Sequence, residues 1–437
     1  MINFALEPEF AAKLDWVREF VDTKITLLDA LWPSPASPHD RKLVAARRIA
    51  DELQAEVKAR GLWAAHLDQE LGGPGFGQVK YLHIAEILGR TNWGSMIFGC
   101  QAPDSGNSEI IARYGTDEQK KRYLEPLLDG SAFSAFSMTE PEGGSDPVYF
   151  TCRAVQDGDD YVIDGEKWFS SHANYADFLI IMAVTDPEAE PYRRASMFIV
   201  PTDTHGVEFV RETGVFTEGH DERGGHPYMR YTNLRVPASA MLGPRGGGFE
   251  VAQSRLGGGR IHHAMRTIGL CQKAIDMMAT RAVSRKSSGV LIAEKQSVQF
   301  DLAEAEIALQ QLRLLVLHCA WLADQPGMER ELRAAISRVK VASADVAEKI
   351  IWKAMHVHGS LGVSNEMPFA HMLFMTGMLG LADGPTEVHK VSVARRILRG
   401  AKSHEGFFPP DHLPALRAKG LAEFGLTSED LSRRVSA

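Results

Sequence analysis

The chain has 437 residues, 44% hydrophobic and 24% charged, a composition that excludes wholesale disorder. Its formal charge of −8 leaves no global basic surface for nucleic acid, and no apolar run approaches the ~20 residues of a membrane helix. The stretch MINFALEPEFAAKLDWVREF carries acids throughout, unlike a secretory leader, and Cys100, Cys152, Cys271 and Cys319 lie far apart without CxxC spacing, so reduced thiols in a cytoplasmic protein are expected and structural zinc is not.

Residues 1–133 read as a helical domain. PEFAAKLDWVREFVDTKITLLDALW, RKLVAARRIADELQAEVKARGLW and YLHIAEILGR carry apolar positions at three- and four-residue spacing, and the proline-rich WPSPASPHD separates the first two. Over 134–243 the period changes. FTCRAV, YVIDG, DFLIIMAV, SMFIV, VEFVR and YMRYTNLRV are short, rich in β-branched and aromatic residues, and bounded by Gly, Asp and Pro, which implies a β-domain of about seven strands. Over 244–402 longer helices return, including IAEKQSVQFDLAEAEIALQQLRLLVLHCAWLA and ELRAAISRVKVASADVAEKIIWKAMHVHG, long enough for a bundle or an oligomer face. Residues 403–437 form a tail with one short amphipathic helix at most. The fold class is α+β, ordered helical domain, β-domain, helical bundle.

Several stretches could carry chemistry. FSMTEPEGGSD, residues 136–146, supplies a hydroxyl and a glycine bend that lets the backbone approach a planar or phosphorylated ligand; it could equally be a plain turn. DGEKWFSSHANYADF places two aromatics and two serines in succession, fit to flank a ring and bond its edge, or to form an ordinary strand with one buried face. GGGRIHHAMRTIGL starts a helix with Arg260 at its entrance; His262 and His263 are adjacent, point to different faces and make poor joint ligands. RKSSGVLIAEKQ offers Arg285 and Gln296, either a pyrophosphate grip or a solvated loop. HVHGSLGVSNEMP offers Gly359 and Gly362, either a close approach to a ligand or a helix C-cap. LADGPTEVHK places Asp383 before Gly384 and Pro385, which suits a helix N-cap or a general base.

Taken together and in this order, these stretches resemble the acyl-CoA dehydrogenase family over roughly residues 40–400. MTEPEGGSD is similar to the family's V-T-E-P-G-A-G-S-D signature, and KWFSSHA to its K-x-W-I-[ST]-N segment. RKSSG…Q is similar to R-x-x-F-G…Q, with Ser288 in place of Phe, and HGSLG to the Q-x-x-G-G-x-G loop, with Ser360 at the second glycine. LADGPTEVH…VAR aligns on the segment that carries the family's catalytic Glu, here Asp383; a branch of the A-D-G-P-x-E-V-H type and nitroalkane oxidase also place Asp there.

The resemblance implies FAD, an acyl-CoA thioester and a trans-2-enoyl-CoA product, as in fatty-acid β-oxidation. Asp383 would remove the α-proton, and burial between Leu381 and Ala382 would raise its basicity. Thr139 and Ser171 would bond the isoalloxazine edge, with Met138 and Phe169 against the ring and Phe136, Gly144, Ser145 and Ser170 in the same contact set. Ser145, Arg260 and Gly384 would meet the substrate. Pro385, Thr386 and Glu387 would meet the adenosine half of FAD, while Arg285, Gln296, His356, Gly359 and Ser360 would grip FAD across a subunit boundary. That last role implies an oligomer, dimer pairs within a homotetramer, and the family's electron acceptor is an electron-transfer flavoprotein. The same fold also hosts nitroalkane and acyl-CoA oxidases and a non-catalytic nucleic-acid binder, for which ARRILRGAK is a candidate basic run; that run equally complements a helix C-terminus.

Overall fold

Three- and four-residue apolar spacing makes a helix two-faced, and the N-terminal helices bury the apolar side. The computed structural model describes residues 6–34, 37–215 and 225–433; residues 35 and 36 of the proline-rich break lie outside them. Numbering the longer helices in chain order, α1 (Pro8–Phe20) turns Phe10, Leu14 and Val17 inward and α2 (Val44–Ala59) turns Ala46, Ala50, Leu53 and Val57 inward. Helices α3 (Gly77–Leu88) and α4 (Asp104–Tyr114) complete this region.

The next segment switches to extended chain. Strands β1 (Ser134–Ser137), β2 (Arg153–Asp157), β3 (Asp160–Lys167), β4 (Phe178–Val184), β5 (Ala195–Pro201), β6 (Val207–Glu212), β7 (Pro227–Pro237) and β8 (Met241–Leu242) form one sheet in the order β6-β7-β3-β2-β4-β5-β8, with β1 parallel to β4. Eight strands stand where about seven are expected from the pattern. The extra ones are short: SAFS and ML are too brief to show alternation. In β4, FLIIMAV is buried at every position but the last, which is why it reads as a continuous apolar run.

The C-terminal helices are α5 (Gly248–Ser284), α6 (Gln296–Ala323), α7 (Glu329–His358) and α8 (Phe369–Leu381). Helix α5 does not begin at the triple glycine; it starts at Gly248 and runs straight through Gly257, Gly258 and Gly259. Tertiary contact overrides the helix-breaking tendency of these residues. Further along α5, Gly269 lies against α3 so closely that a Cβ there would sit 1.7 Å from the Glu86 carbonyl oxygen.

That close approach joins the first and last helical regions into one apolar core, which runs from Phe10, Val17, Ile84 and Leu88 to Ile268, Leu309, Val316 and Ile351. Polar ties reinforce it. The Asp324 carboxylate accepts from Gln78 N at 2.6 Å and Val79 N at 3.0 Å, capping α3 from the end of α6, and Arg313 of α6 pairs with Glu86 at 2.7 Å. The chain forms two units, Met1–Lys390 and Val391–Ala437. The second contains the end of α9 (Thr386–Gly400) and α10 (Leu413–Glu423), with Phe407 and Phe424 exposed. No described helix is long and apolar enough to cross a membrane.

The two kinds of glycine on α5 should separate in stability. Gly269→Ala drives a methyl into backbone and should destabilise by about 3 kcal/mol or more. Gly257→Ala, whose Cβ would meet nothing within 4 Å, should be neutral or stabilise by up to about 1 kcal/mol. Guanidinium midpoints of the two variants check this; similar midpoints would mean that α5 and α3 can move apart.

Candidate active site

The segment after β1 is held by a buried ion pair. Lys167, fully buried at the end of β3, donates to Glu140 Oε1 at 2.8 Å and to the Met138 carbonyl at 2.7 Å. Glu140 also accepts from Thr151 N at 2.6 Å, Thr151 Oγ1 at 2.9 Å and Cys152 N at 3.0 Å. Glu140 thus accepts four hydrogen bonds, and Lys167 donates two with its ammonium 4.5 Å from the Phe150 ring, the kind of pairing under which buried charges are tolerated. Trp168 N donates to Thr139 O at 2.9 Å, so Met138 and Thr139 are locked beside Phe169, Ser170 and Ser171.

Phe169 adopts a left-handed backbone, φ +53°, an uncommon state for a bulky residue. Phe169 and Ser171 remain half-buried, with Ser171 Oγ 2.8 Å from His226 Nδ1. Ser170 is different. Its hydroxyl is fully buried, 2.8 Å from Ser137 Oγ, inside the β-domain, because the turn at Phe169 sends alternate side chains to opposite sides. It is placed to support the wall rather than to line it. Gly144 and Ser145 lie exposed on the rim, followed by Asp146, which caps a short 3₁₀ turn through Val148 N.

Asp383 stands between α8 and α9 with φ +57°. It does not supply the carbonyl that opens α9: Val388 N and His389 N donate to Pro385 O. Instead, the Asp383 carbonyl accepts from Arg260 Nε at 2.8 Å and lies 3.3 Å from His389 Nε2. Its carboxylate faces α5, with Oδ2 at 3.7 Å from His263 Nε2. The apolar enclosure expected from Leu381 and Ala382 is absent. Leu381 is 68% exposed, because the end of α8 turns it outward, and the carboxylate meets the polar side of α5 instead. Gly384 is packed by His389 and Arg260, whose atoms a Cβ would meet at 3.1 and 3.9 Å. Thr386 is buried and bonds Gly380 O, and Glu387 is exposed.

The structure adds residues that no motif singled out. Arg255, one turn before Gly259 on α5, lies 4.0 Å over the Phe136 ring and donates to Asn107 Oδ1 at 2.7 Å, which brings this part of α5 beside the β1 segment. Lys340 of α7 donates to Leu379 O, and burial depresses its pKa, opposed by Asp383. Asp104, at the start of α4, accepts from Ser134 N at 2.7 Å and Ser134 Oγ at 2.5 Å; burial pushes its pKa up to about 6. The α5 signal was available in principle: His263 follows Arg260 by three residues and Gly259 by four, so it neighbours both on the helix surface.

The remaining expected residues sit elsewhere. Arg285 follows the end of α5, Gln296 opens α6, His356 lies in the last turn of α7, and Gly359 and Ser360 follow it; all five are exposed. From Arg260 to the end of α5 at Ser284 the helix rises roughly 36 Å. One chain therefore holds two sets of candidate residues at widely separated places.

Comparisons with known proteins give the same family along the chain. Family models match the acyl-CoA dehydrogenase N-terminal domain over residues 8–131, the middle domain over 135–221 and the C-terminal domain over 246–398. The chain is 41% identical to the Mycobacterium tuberculosis "Probable acyl-CoA dehydrogenase FadE2", over 81% of this chain and 87% of that protein. It is 40% identical to mouse "Acyl-CoA dehydrogenase family member 11" over 80% of this chain, but spans only 45% of that longer protein. Among solved structures, an acyl-CoA dehydrogenase-like chain from Mycobacterium abscessus matches with TM-score 0.82 and 39% identity, covering 90% of this chain and 99% of that one.

Two measurements follow from the site's electrostatics. Lys167→Met strands the buried Glu140 charge and should cost about 3–5 kcal/mol in a denaturant titration; a loss under about 1 kcal/mol would show that the pair does not hold the segment. Asp104 has a folded pKa of about 6 against 3.8 unfolded, so its favourable contribution is complete below about pH 4 and lost as pH rises through about 6. Asp104→Asn keeps the acceptor for Ser134, and Gln101 Oε1, without a partner in the structure, can turn to meet the new amide. The variant should therefore gain on the order of 2–3 kcal/mol over the parent between about pH 4 and about pH 7.5. Parallel pH–stability curves would refute this.

Proposed function

This chain belongs to the acyl-CoA dehydrogenase family, an enzyme family of flavin-dependent oxidoreductases, and we propose that it oxidises an acyl-CoA thioester to the trans-2-enoyl-CoA with Asp383 as the α-proton base. The observation that carries this reading is the strained turn. Asp383 is held at φ +57° with its carbonyl gripped by Arg260 and its carboxylate turned toward α5 rather than into a helix cap. Left-handed backbone at a non-glycine residue persists where surrounding contacts enforce it, and such positions cluster at working sites.

The residues present fit FAD. Met138–Thr139 and Phe169–Ser171 run side by side as a half-buried wall, with apolar side chains for a planar ring and the Thr139 and Ser171 hydroxyls for its polar edge. When bound, FAD supplies the acceptor for the β-hydride. Gly144, whose Cβ would meet nothing within 4 Å, leaves the rim open to a ligand beside Ser145. Asp383 takes the α-proton. A thioester α-C–H is a weak acid, so the charge that develops on the thioester oxygen needs a placed donor, and the Asp383 backbone N–H is the candidate. Arg260 anchors the turn by binding the carbonyl of the next peptide, and Gly384 lines the substrate.

The distant set (Arg285, Gln296, His356, Gly359, Ser360) completes the FAD site when supplied by a second copy. Helix α6 carries an apolar stripe suited to that pairing: Phe300, Ile307 and Leu314 recur every seventh residue and are 56%, 58% and 59% exposed. We assign the oligomer as dimer pairs in a tetramer and the acceptor as an electron-transfer flavoprotein.

The test is anaerobic titration of the holoprotein with acyl-CoAs of varied length and branching, following the flavin absorbance. Bleaching by one of them is expected, slowed roughly 10³-fold or more in Asp383→Asn with FAD retained. Bleaching only by nitroalkanes, or an Asp383→Asn variant as fast as the parent, would refute the assignment; rapid oxygen uptake during turnover would replace the flavoprotein acceptor with oxygen.

A further inference from the structure

The carboxylate of Asp383 is bordered by several ionisable groups, and most are engaged elsewhere. On α5, Arg260 donates through Nε to the Asp383 carbonyl and through Nη1 to Gln253 at 3.4 Å, and Arg255 donates to Asn107. Lys340 of α7 donates to Leu379 O, and His389 of α9 faces the Asp383 carbonyl and Ser337. His263 is the side chain directed at the carboxylate itself, at 3.7 Å.

The proton on His263 can be placed. Its Nδ1 lies 3.1 Å from Arg266 Nη2. A guanidinium nitrogen only donates, so Nδ1 must accept, and it carries no hydrogen. Protonating the ring would set two N–H groups against each other, and burial, with Arg266 next in effect, pushes the His263 pKa down to about 4. The ring is therefore neutral near pH 7 with its one hydrogen on Nε2, pointing toward Asp383 Oδ2. The adjacent His262 takes no part: its Nε2 lies 3.1 Å from Gln78 Oε1, and its ring meets Tyr81 at 4.8 Å.

We propose that His263 is a positioning residue for Asp383: Arg266 sets its tautomer, and its Nε2–H holds one carboxylate oxygen so that the other is presented to the substrate α-carbon. This rests on the reading of Asp383 as the base. The separation of 3.7 Å exceeds a hydrogen bond, and such contacts tighten when substrate closes the site. Because Nδ1 is engaged and Nε2 already carries its hydrogen, the ring orients Asp383 without accepting its proton.

The test is rapid-mixing reduction of the holoenzyme by an acyl-CoA that bleaches it, across pH, in the parent, His263→Phe, His263→Gln, Arg266→Met and Asp383→Asn. His263→Phe keeps the ring shape without the donor; the reduction rate should fall about 10- to 100-fold while half-saturation stays within about threefold. His263→Gln, whose amide reaches the Nε2 position, should recover most of the rate. Arg266→Met, which frees the tautomer, should lower the alkaline rate, but by less than His263→Phe does. Its acid limb should move up, because the freed imidazole protonates and pairs with Asp383. Equal losses in the Phe and Gln variants with a lowered melting temperature would mark a packing role and overturn the proposal. A change confined to half-saturation would mark a substrate contact and overturn it too. If the Phe variant does not fold, an unmoved acid limb in Arg266→Met overturns it. An Asp383→Asn variant that still bleaches at the parent rate sinks the base assignment itself, a result independent of the His263 series.

Discussion

The buried pair of Lys167 and Glu140 is the constraint on which the wall of Met138, Thr139, Phe169 and Ser171 depends. Two charges removed from water are costly unless every oxygen and proton finds a partner. Here the partners are backbone groups of three segments: Met138 O after β1, Thr151 N and Cys152 N before β2, and the end of β3, which carries Lys167. Satisfying the charges therefore fixes where those segments lie. The wall of Met138, Thr139, Phe169 and Ser171 is a consequence, as is the position of Phe136 under Arg255.

Helix α5 does the corresponding work on the other side. Arg260 and His263 of its first half face Asp383, with Arg266 behind His263, and its second half packs on α3 through Gly269. The same helix sets the site's chemistry at one end and joins the N-terminal helices to the C-terminal bundle. Its length also separates Arg260, beside Asp383, from Arg285, which is why a complete FAD site calls for a second copy under the reading proposed here.

Much was legible in the residues. The change from helical to alternating period near residue 134 and back near 244 is visible in side-chain pattern, since burial of one face imposes it. The chemistry-bearing stretches are contiguous: Thr139, Ser171 and Asp383 each sit in a short motif whose spacing survives without a structure. What pattern alone missed was of two kinds. Strands β1 and β8 are too short to alternate, and α5 keeps its helix through Gly257, Gly258 and Gly259 because packing outweighs local propensity.

By itself, then, the sequence determined the α+β order, because hydrophobic period is a local property, and its motifs resembled the family that the comparisons show. Only the tertiary structure decided what surrounds the carboxylate. Arg260 meets Asp383 across 123 residues, Lys167 meets Glu140 across 27, and Leu381, two residues before Asp383, turns outward. No periodicity encodes such meetings. They arise when buried polar groups must be satisfied in three dimensions, and that demand is met by whichever residue the fold brings within reach.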